Sequence, residues 1–386
     1  MTRHSMRKSA VWLVFLISLT SPAFGSFHSG GVGSCGGCHV SHGSGGAISG
    51  ALRASDASSI CLNCHTGAGT TSISSVLSFD GSALTPGGDF YWMTKSFVWT
   101  GGSSPAAMHG HNVVARDFGL VPDPVRVQSP GGNYPAARLS CISCHDPHGR
   151  SGGGTRAGAA AVSVSGSYGA EPGAGSRSGN YRLLGGAGYE VNGFVFSNPA
   201  PIARQNAAQP FTESDDSHVD YGTGMSEWCA NCHAQILNGR HQVGGQGFEH
   251  PVGGNDPLSS AIIANYNSYL KTGDLSGTAA TAYLQFVPFE RGVSSPAFLD
   301  PNNTSGPDSS SRISCLTCHR AHASAFRNAG RWDFDAALLI NSHPSLGDSG
   351  VSGSDVTNSY YGRNIASDFG MTQGQFCEKC HGGATP

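Results

Sequence analysis

The pattern Cys-x-x-Cys-His occurs six times in this 386-residue chain, and the six copies use all twelve cysteines. They are Cys35/Cys38/His39, Cys61/Cys64/His65, Cys141/Cys144/His145, Cys229/Cys232/His233, Cys315/Cys318/His319 and Cys377/Cys380/His381. Two thiols three positions apart can add to the two vinyl groups of one porphyrin. The histidine directly behind them then falls under the iron as its proximal ligand, which is the pattern of c-type haem attachment. A disulfide framework or cysteine-based zinc sites would use the same thiols. Neither needs a histidine after every second cysteine, and zinc would leave six histidines in identical positions without a role. The pattern therefore implies six covalently attached haem c groups, and electrons moving between irons.

The amino terminus fits attachment outside the cytoplasm. Arg3, Arg7 and Lys8 precede an apolar stretch over 11–19, and Pro22-Ala23-Phe24-Gly25 offers small residues for cleavage, so residues 1–25 are expected to be a signal peptide. Nine mostly apolar residues fall short of the ~20 needed to span a bilayer, and no later segment resembles a membrane helix. No cysteine stands at the cleavage point to carry a lipid. The expected product is a secreted protein, extracellular or on the outer cell surface after passage through the periplasm, and not an integral membrane protein.

Residues 26–386 are expected to form a single hexahaem domain, with 361 residues for six haems. That is too little protein to wrap six apolar macrocycles in separate cores, so the haem stack is expected to serve as the core. Charged residues are 12% of the chain, about half the usual share, while Gly reaches 56 of 386. Glycine lets the backbone pass close to flat cofactors and turn with positive φ. The expected fold is mostly irregular and loop-dominated, with short helices and little β-sheet. Removing the three basic residues of the leader takes the formal charge from −3 to −6, and haem propionates add to it. Nucleic acid is an improbable partner for such a surface. Other multihaem cytochromes or extracellular metal oxides suit it better.

First cysteines of successive motifs are 26, 80, 88, 86 and 62 residues apart, which is no solenoid of equal repeats. One local echo exists, since Arg138-Leu-Ser-Cys-Ile-Ser-Cys-His and Arg312-Ile-Ser-Cys-Leu-Thr-Cys-His share a frame. Their arginines either pair with propionates or stand solvated. The clearest helix signal covers 257–271, with Asp256 as N-cap, Pro257 at the first position and Gly273 as the stop. Two more helices are expected over 277–286 and 334–340, all as packing elements.

The second axial ligand decides whether an iron only carries electrons or also binds a substrate. Ten histidines of the mature chain are not proximal: His28, His42, His109, His111, His148, His218, His241, His250, His322 and His343. They can close all six irons. Met93, Met108, Met225 and Met371 are expected to pack rather than ligate. His42, His148 and His322 each lie three residues beyond a proximal histidine. Three residues reach about 10 Å at most, and their start is fixed on the proximal face. Each of these histidines should therefore ligate a haem other than its own.

Several runs outside the haem motifs carry a family resemblance: Phe27-His28-Ser29-Gly30-Gly31-Val32, Thr85-Pro-Gly-Gly-Asp-Phe90, Gly110-His-Asn112, Tyr181-Arg-Leu-Leu-Gly-Gly186, Gly224-Met-Ser-Glu-Trp228 and Tyr360-Tyr-Gly-Arg363. In these the chain resembles the secreted hexahaem cytochromes of metal-reducing bacteria that polymerise into extracellular filaments. The resemblance implies bis-histidine ligation of all six haems, a continuous stack through each subunit, and head-to-tail polymerisation. It implies His28, His42, His111, His148, His250 and His322 as the distal ligands, with His109, His218, His241 and His343 left over. It further implies that His42 ligates the haem of Cys315, Cys318 and His319 in the adjoining subunit of a homopolymer.

Three functional classes compete: a filament subunit that conducts electrons, a soluble periplasmic multihaem shuttle, and a multihaem reductase with one open iron. The surplus of histidines and the absence of a Cys-x-x-Cys-Lys variant speak against the reductase. Only the resemblance separates filament from shuttle.

Overall fold

The computed structural model describes residues 35–40, 52–67, 75–147, 184–205, 212–238, 241–243, 246–248, 250, 252–254 and 256–382. The expected signal peptide, His28, His42 and His148 lie outside the described residues.

Regular structure is sparse and short, as the glycine-rich, weakly charged composition led us to expect. The longest helices, α2 (Ala57–His65) and α5 (Ser260–Ser268), have nine residues each. Other helices are one turn or little more: α1 (Cys35–Cys38), α3 (Met225–Cys229), α4 (Ala234–Asn238), α6 (Cys315–Cys318), α7 (Gly353–Ser359), α8 (Ile365–Asp368) and α9 (Glu378–His381). Strands occur among the described residues as four separate antiparallel pairs. The longest joins the strand Ile202–Gln205 to the strand Val219–Thr223, with a register shift between Ile202 and Ala203.

The helix expected over 257–271 is shorter at both ends. Its N-cap is Ser259, whose Oγ accepts from the Ile262 N–H at 3.3 Å, and not Asp256. The Leu258 N–H donates to Ser311 O, which holds the preceding residues in extended backbone. The end comes at Tyr269, because the next residues close a turn in which Leu270 N–H donates to Asp274 O. The helices expected over 277–286 and 334–340 are replaced by single 3₁₀ turns, Ala279–Thr281 and Leu339–Asn341. In the first, Tyr283 N–H is taken by Thr304 O. In the second, Asp333 accepts from the N–H groups of Asp335 and His343, which competes with helix formation.

The protein also has a side-chain core of its own. Trp92, Phe97, Phe286, Phe326, Trp332 and Phe376 are almost fully buried in one cluster with Tyr266, Leu62 and Leu339. Phe286 stacks on Phe376 with centroids 5.1 Å apart, and Trp332 meets Phe376 edge to face at 5.9 Å. Such pairs add about 0.5–1.5 kcal/mol each beyond burial.

A buried charge cluster ties this core to the fifth motif. Glu213 Oε2 accepts from Arg320 at 2.8 Å and from Arg331 at 2.9 Å, with all three side chains almost fully buried. Arg331 also donates through Nε to Leu316 O, and its backbone N–H donates to Cys318 O, so it grips α6 directly. Burial works to raise the Glu213 carboxyl, but the two guanidinium groups hold it below its ordinary value.

One extended segment carries the greatest positional load. Residues 321–324 thread between two loops: His322 N–H donates to Gly87 O, Asp89 N–H to Ala323 O, His111 N–H to His322 O, and Ser324 N–H to His109 O. The approach is so close that a Cβ on Gly110 would lie 2.2 Å from His322 O, and one on Gly88, whose φ is +91°, would lie 1.8 Å from Ala323 O. Glycine is required at both positions.

Candidate haem-binding sites

The threaded segment brings His322 and His111, 211 residues apart in sequence, side by side on neighbouring backbones. Each then faces the histidine of a Cys-x-x-Cys-His motif distant from it in sequence. The rings of His111 and His233 have centroids 6.1 Å apart, and those of His322 and His145 are 6.2 Å apart. A third pair, His250 and His381, stands at 6.0 Å. Metal–imidazole bonds are about 2 Å, so two imidazoles on opposite sides of one metal place their centroids roughly 6 Å apart. The donor set and its spacing thus fit three irons, each between a proximal and a distal histidine.

Backbone carbonyls orient several of these rings. His111 Nδ1 lies 2.7 Å from Ala321 O, His233 Nδ1 2.7 Å from Pro130 O, and His319 Nδ1 2.9 Å from Asn328 O. A carbonyl cannot donate, so Nδ1 carries the proton in each case and Nε2 is left as the basic nitrogen. Such bonds fix both tautomer and ring plane for a metal-binding histidine.

His322 also tests the short-tether argument. It lies three residues beyond His319, yet its ring faces His145 of the third motif. The chain cannot turn round from the proximal face within three residues, and the threaded segment carries it to a different motif.

Successive motifs are spatial neighbours in chain order. The Cys61 thiol is pushed up first by its hydrogen bond with Cys141, then by burial, and it also feels Cys38. The Cys144 thiol is raised by burial and then by Cys232. Cys229 is raised first by its hydrogen bond with Cys315, and Cys318 by burial, then by Cys377 and Cys380. Motifs one to six are therefore linked end to end, each touching the electrostatic environment of the next.

Cys64 departs from this enclosed setting. Cys64 is exposed, whereas Cys61 and the other cysteines whose side chains are described are partly buried. The helix explains the difference. Successive residues turn by about 100°, so Cys64 stands roughly 200° round α2 from Leu62, which is fully buried in the aromatic core. Asn63 is exposed beside it, and together they form the outward face of the last turn.

No protein-family model matches the chain. The C-type cytochrome OmcS of Geobacter sulfurreducens is 37% identical over 371 residues, covering 86% of this chain and 85% of that protein. This chain belongs to the OmcS family of c-type cytochromes. The outer membrane cytochrome S filament from Geobacter sulfurreducens matches the fold with a TM-score of 0.74 at 34% identity, over 92% of this chain and 100% of that one. The OmcS nanowires from the same organism, seen by cryo-EM, match with a TM-score of 0.73 at 34% identity over the same shares. The loop-dominated architecture with short helices and two-stranded ladders is thus that of the OmcS family.

The four histidines that the resemblance left over are differently placed. His109 is fully buried, with Nδ1 2.9 Å from Trp92 O and Nε2 2.8 Å from Ser104 Oγ, so protein groups occupy both nitrogens. His218 is fully buried and stacked on Tyr283 with centroids 3.6 Å apart. His343 stacks on Trp99 at 3.9 Å, and its Nδ1 meets Asp348 Oδ2 at 2.6 Å. His241 lies in a short strand, His241–Val243, with its side chain outside the described residues.

Arg138, expected beside a propionate or in solvent, donates to Asn192 O from an exposed position. Met225 is buried in the second core cluster and Met371 is exposed. Sequence reasoning missed Glu213, Arg320 and Arg331. The signal was present only as charged residues in a chain with very few of them.

Proposed function

We propose that the chain carries six haem c groups, bound by Cys35/Cys38, Cys61/Cys64, Cys141/Cys144, Cys229/Cys232, Cys315/Cys318 and Cys377/Cys380, and conducts electrons as the repeating subunit of an extracellular filament. The proximal ligands are His39, His65, His145, His233, His319 and His381. His111, His322 and His250 are the distal ligands opposite His233, His145 and His381. His28, His42 and His148 close the other three irons, with His42 reaching the His319 iron of the next subunit in the homopolymer. The haems supply reversible one-electron iron chemistry. The protein closes each iron on both sides, holds the imidazoles by backbone carbonyls, and lines the motifs up in chain order.

The observation that carries this reading is the set of three imidazole pairs at 6.0–6.2 Å, each joining a distal and a proximal histidine from different parts of the chain. Such pairs leave no coordination position for a substrate, which favours an electron conduit over a reductase. Membership of the OmcS family and the likeness to solved OmcS filaments support polymerisation. No helix of the described residues is long and apolar enough to cross a membrane.

Two measurements test the reading. The ferrous protein, purified as filaments, should be fully low-spin and bind almost no carbon monoxide; stoichiometric carbon monoxide binding at one haem would revive the reductase. Negative-stain images of the secreted fraction should show filaments of uniform width containing this chain. Soluble particles alone, with six closed haems, would favour the periplasmic shuttle.

A further inference from the structure

Two of the motif contacts share one construction that neither the haem pattern nor the ligand pairs require. In the first, α2 presents Ser58, fully buried, three residues before Cys61, and its Oγ accepts from the backbone N–H of Cys141 at 3.1 Å. In the second, α3 presents Ser226, also buried, three residues before Cys229, and its Oγ accepts from the backbone N–H of Cys315 at 3.2 Å.

The receiving motifs match as well. Each begins with a serine whose side chain takes part in a capping box: Ser140 with Ser143, and Ser314 with Thr317. A capping box serves the N-cap and third N–H groups of a helical turn and leaves the first without an acceptor. That first N–H belongs to Cys141 in one motif and to Cys315 in the other, and the serine of the preceding motif supplies its acceptor. The sequence repeats the frame: Ser-x-x-Cys-x-Asn-Cys-His at 58–65 and 226–233, followed in space by Ser-Cys-x-(Ser or Thr)-Cys-His-x-x-His at 140–148 and 314–322. The sixth motif has Gly374 where the second and fourth have serine.

We infer that Ser58 and Ser226 are positioning residues, each hydroxyl clamping the start of the next motif and fixing the separation of two haem-attachment edges. The inference rests on the covalent haem reading above. A hydroxyl buried between two cysteine-bearing turns holds both turns at hydrogen-bond distance, and thioether bonds would pass that constraint directly to the porphyrin rims. The second and third motifs form one clamped pair, and the fourth and fifth form another.

The test uses the full haem-loaded protein and four variants: Ser58→Ala, Ser226→Ala, the double alanine variant, and Ser226→Thr, which keeps the hydroxyl. Ser359→Ala serves as a control, since that serine is also buried but bonds only to Val356 O within α7. Haem count per chain is measured first; fewer than six haems in the unmodified protein would overturn the underlying haem reading rather than the clamp. Excitonic circular dichroism in the Soret band then reports the spacing and angle between neighbouring haems, which loss of stability elsewhere does not alter. Each alanine variant should retain six haems and lose part of the couplet, the double variant should lose more, and Ser226→Thr should restore the Ser226→Ala loss. If Ser226→Ala fails to accumulate, Ser58→Ala and Ser226→Thr carry the comparison. An unchanged couplet in a six-haem alanine variant, or an equal loss in the Ser359→Ala control, would overturn the clamp.

Discussion

Gly110 separates two histidines with opposite fates. On one side, His109 is sealed into the aromatic core, with Trp92 O and Ser104 Oγ taking both of its ring nitrogens. On the other, His111 gives only Nδ1 to Ala321 O, and its ring faces His233 at 6.1 Å. Both are histidines of one short loop, and neither hydropathy nor spacing tells them apart. The difference lies in whether the protein completes the imidazole or leaves one nitrogen for a metal. The same contrast holds between Glu213, whose Oε2 is held by two arginines in the core, and His322, turned toward His145.

Breaking the ligand side of this comparison should have the largest effect. His111→Ala and His322→Ala should each leave six covalent haems but convert one to a high-spin, carbon monoxide-binding form. In the His322→Ala protein the altered iron should be that of His145 and not that of His319; redox-difference spectra combined with a His145→Met variant would identify it. His109→Ala should leave every haem low-spin. A high-spin signal from His109→Ala would erase the distinction.

The core side is a matter of stability. Glu213→Gln removes the counter-charge of two buried guanidinium groups, and breaking such an arrangement typically costs about 3–5 kcal/mol. Chemical denaturation of the holoprotein should show that loss with an unchanged visible spectrum. A loss below about 1 kcal/mol would mean that the cluster is solvated in solution.

A pH titration sharpens the same contrast. Burial, more than any charge, lowers His109 to about 4 from an ordinary value of 6.5. A folded-state pKa below the unfolded one means that the unfolded chain binds the proton more readily. Stability should therefore be fully present above about pH 6.5 and fall as pH drops toward 4, by at most about 3 kcal/mol from this residue. His109→Gln should flatten that slope. A slope unaltered by the substitution would assign it to other groups, with His218, also lowered to about 4 by burial, the first to examine. The smallest change expected is at the exposed pair Arg327–Asp335, 3.4 Å apart. Asp335→Ala should shift stability by less than about 1 kcal/mol and nothing in the haem spectrum.

Much of the site was legible in the sequence because its chemistry is local. Five residues suffice to attach a haem, and three suffice to show that His322 cannot return to its own iron. Which motif it faces was not legible, since His322 is placed by contacts with Gly87 and His111, far away along the chain. The exposure of Cys64 was hidden for a similar reason, because the motif fixes the spacing of its thiols but not which face of α2 meets the core. The helices were misjudged on tertiary grounds too. Residues 277–286 contain apolar side chains at plausible intervals, but their N–H groups are taken by distant carbonyls such as Thr304 O, so tertiary pairing wins over propensity. The serine clamps left a trace that a comparison of motifs can find. Serine three residues before cysteine occurs in the second and fourth motifs, and serine directly before cysteine in the first, third and fifth.

That alternation bears on how such chains evolve. A clamp needs a donor motif and a receiver motif of different kinds, so the heritable unit is two haems and not one. Duplication of a receiver motif alone would leave a partly buried peptide N–H without its acceptor, at a cost of about 1–3 kcal/mol. Chains built this way should gain or lose the second and third motifs together, and likewise the fourth and fifth.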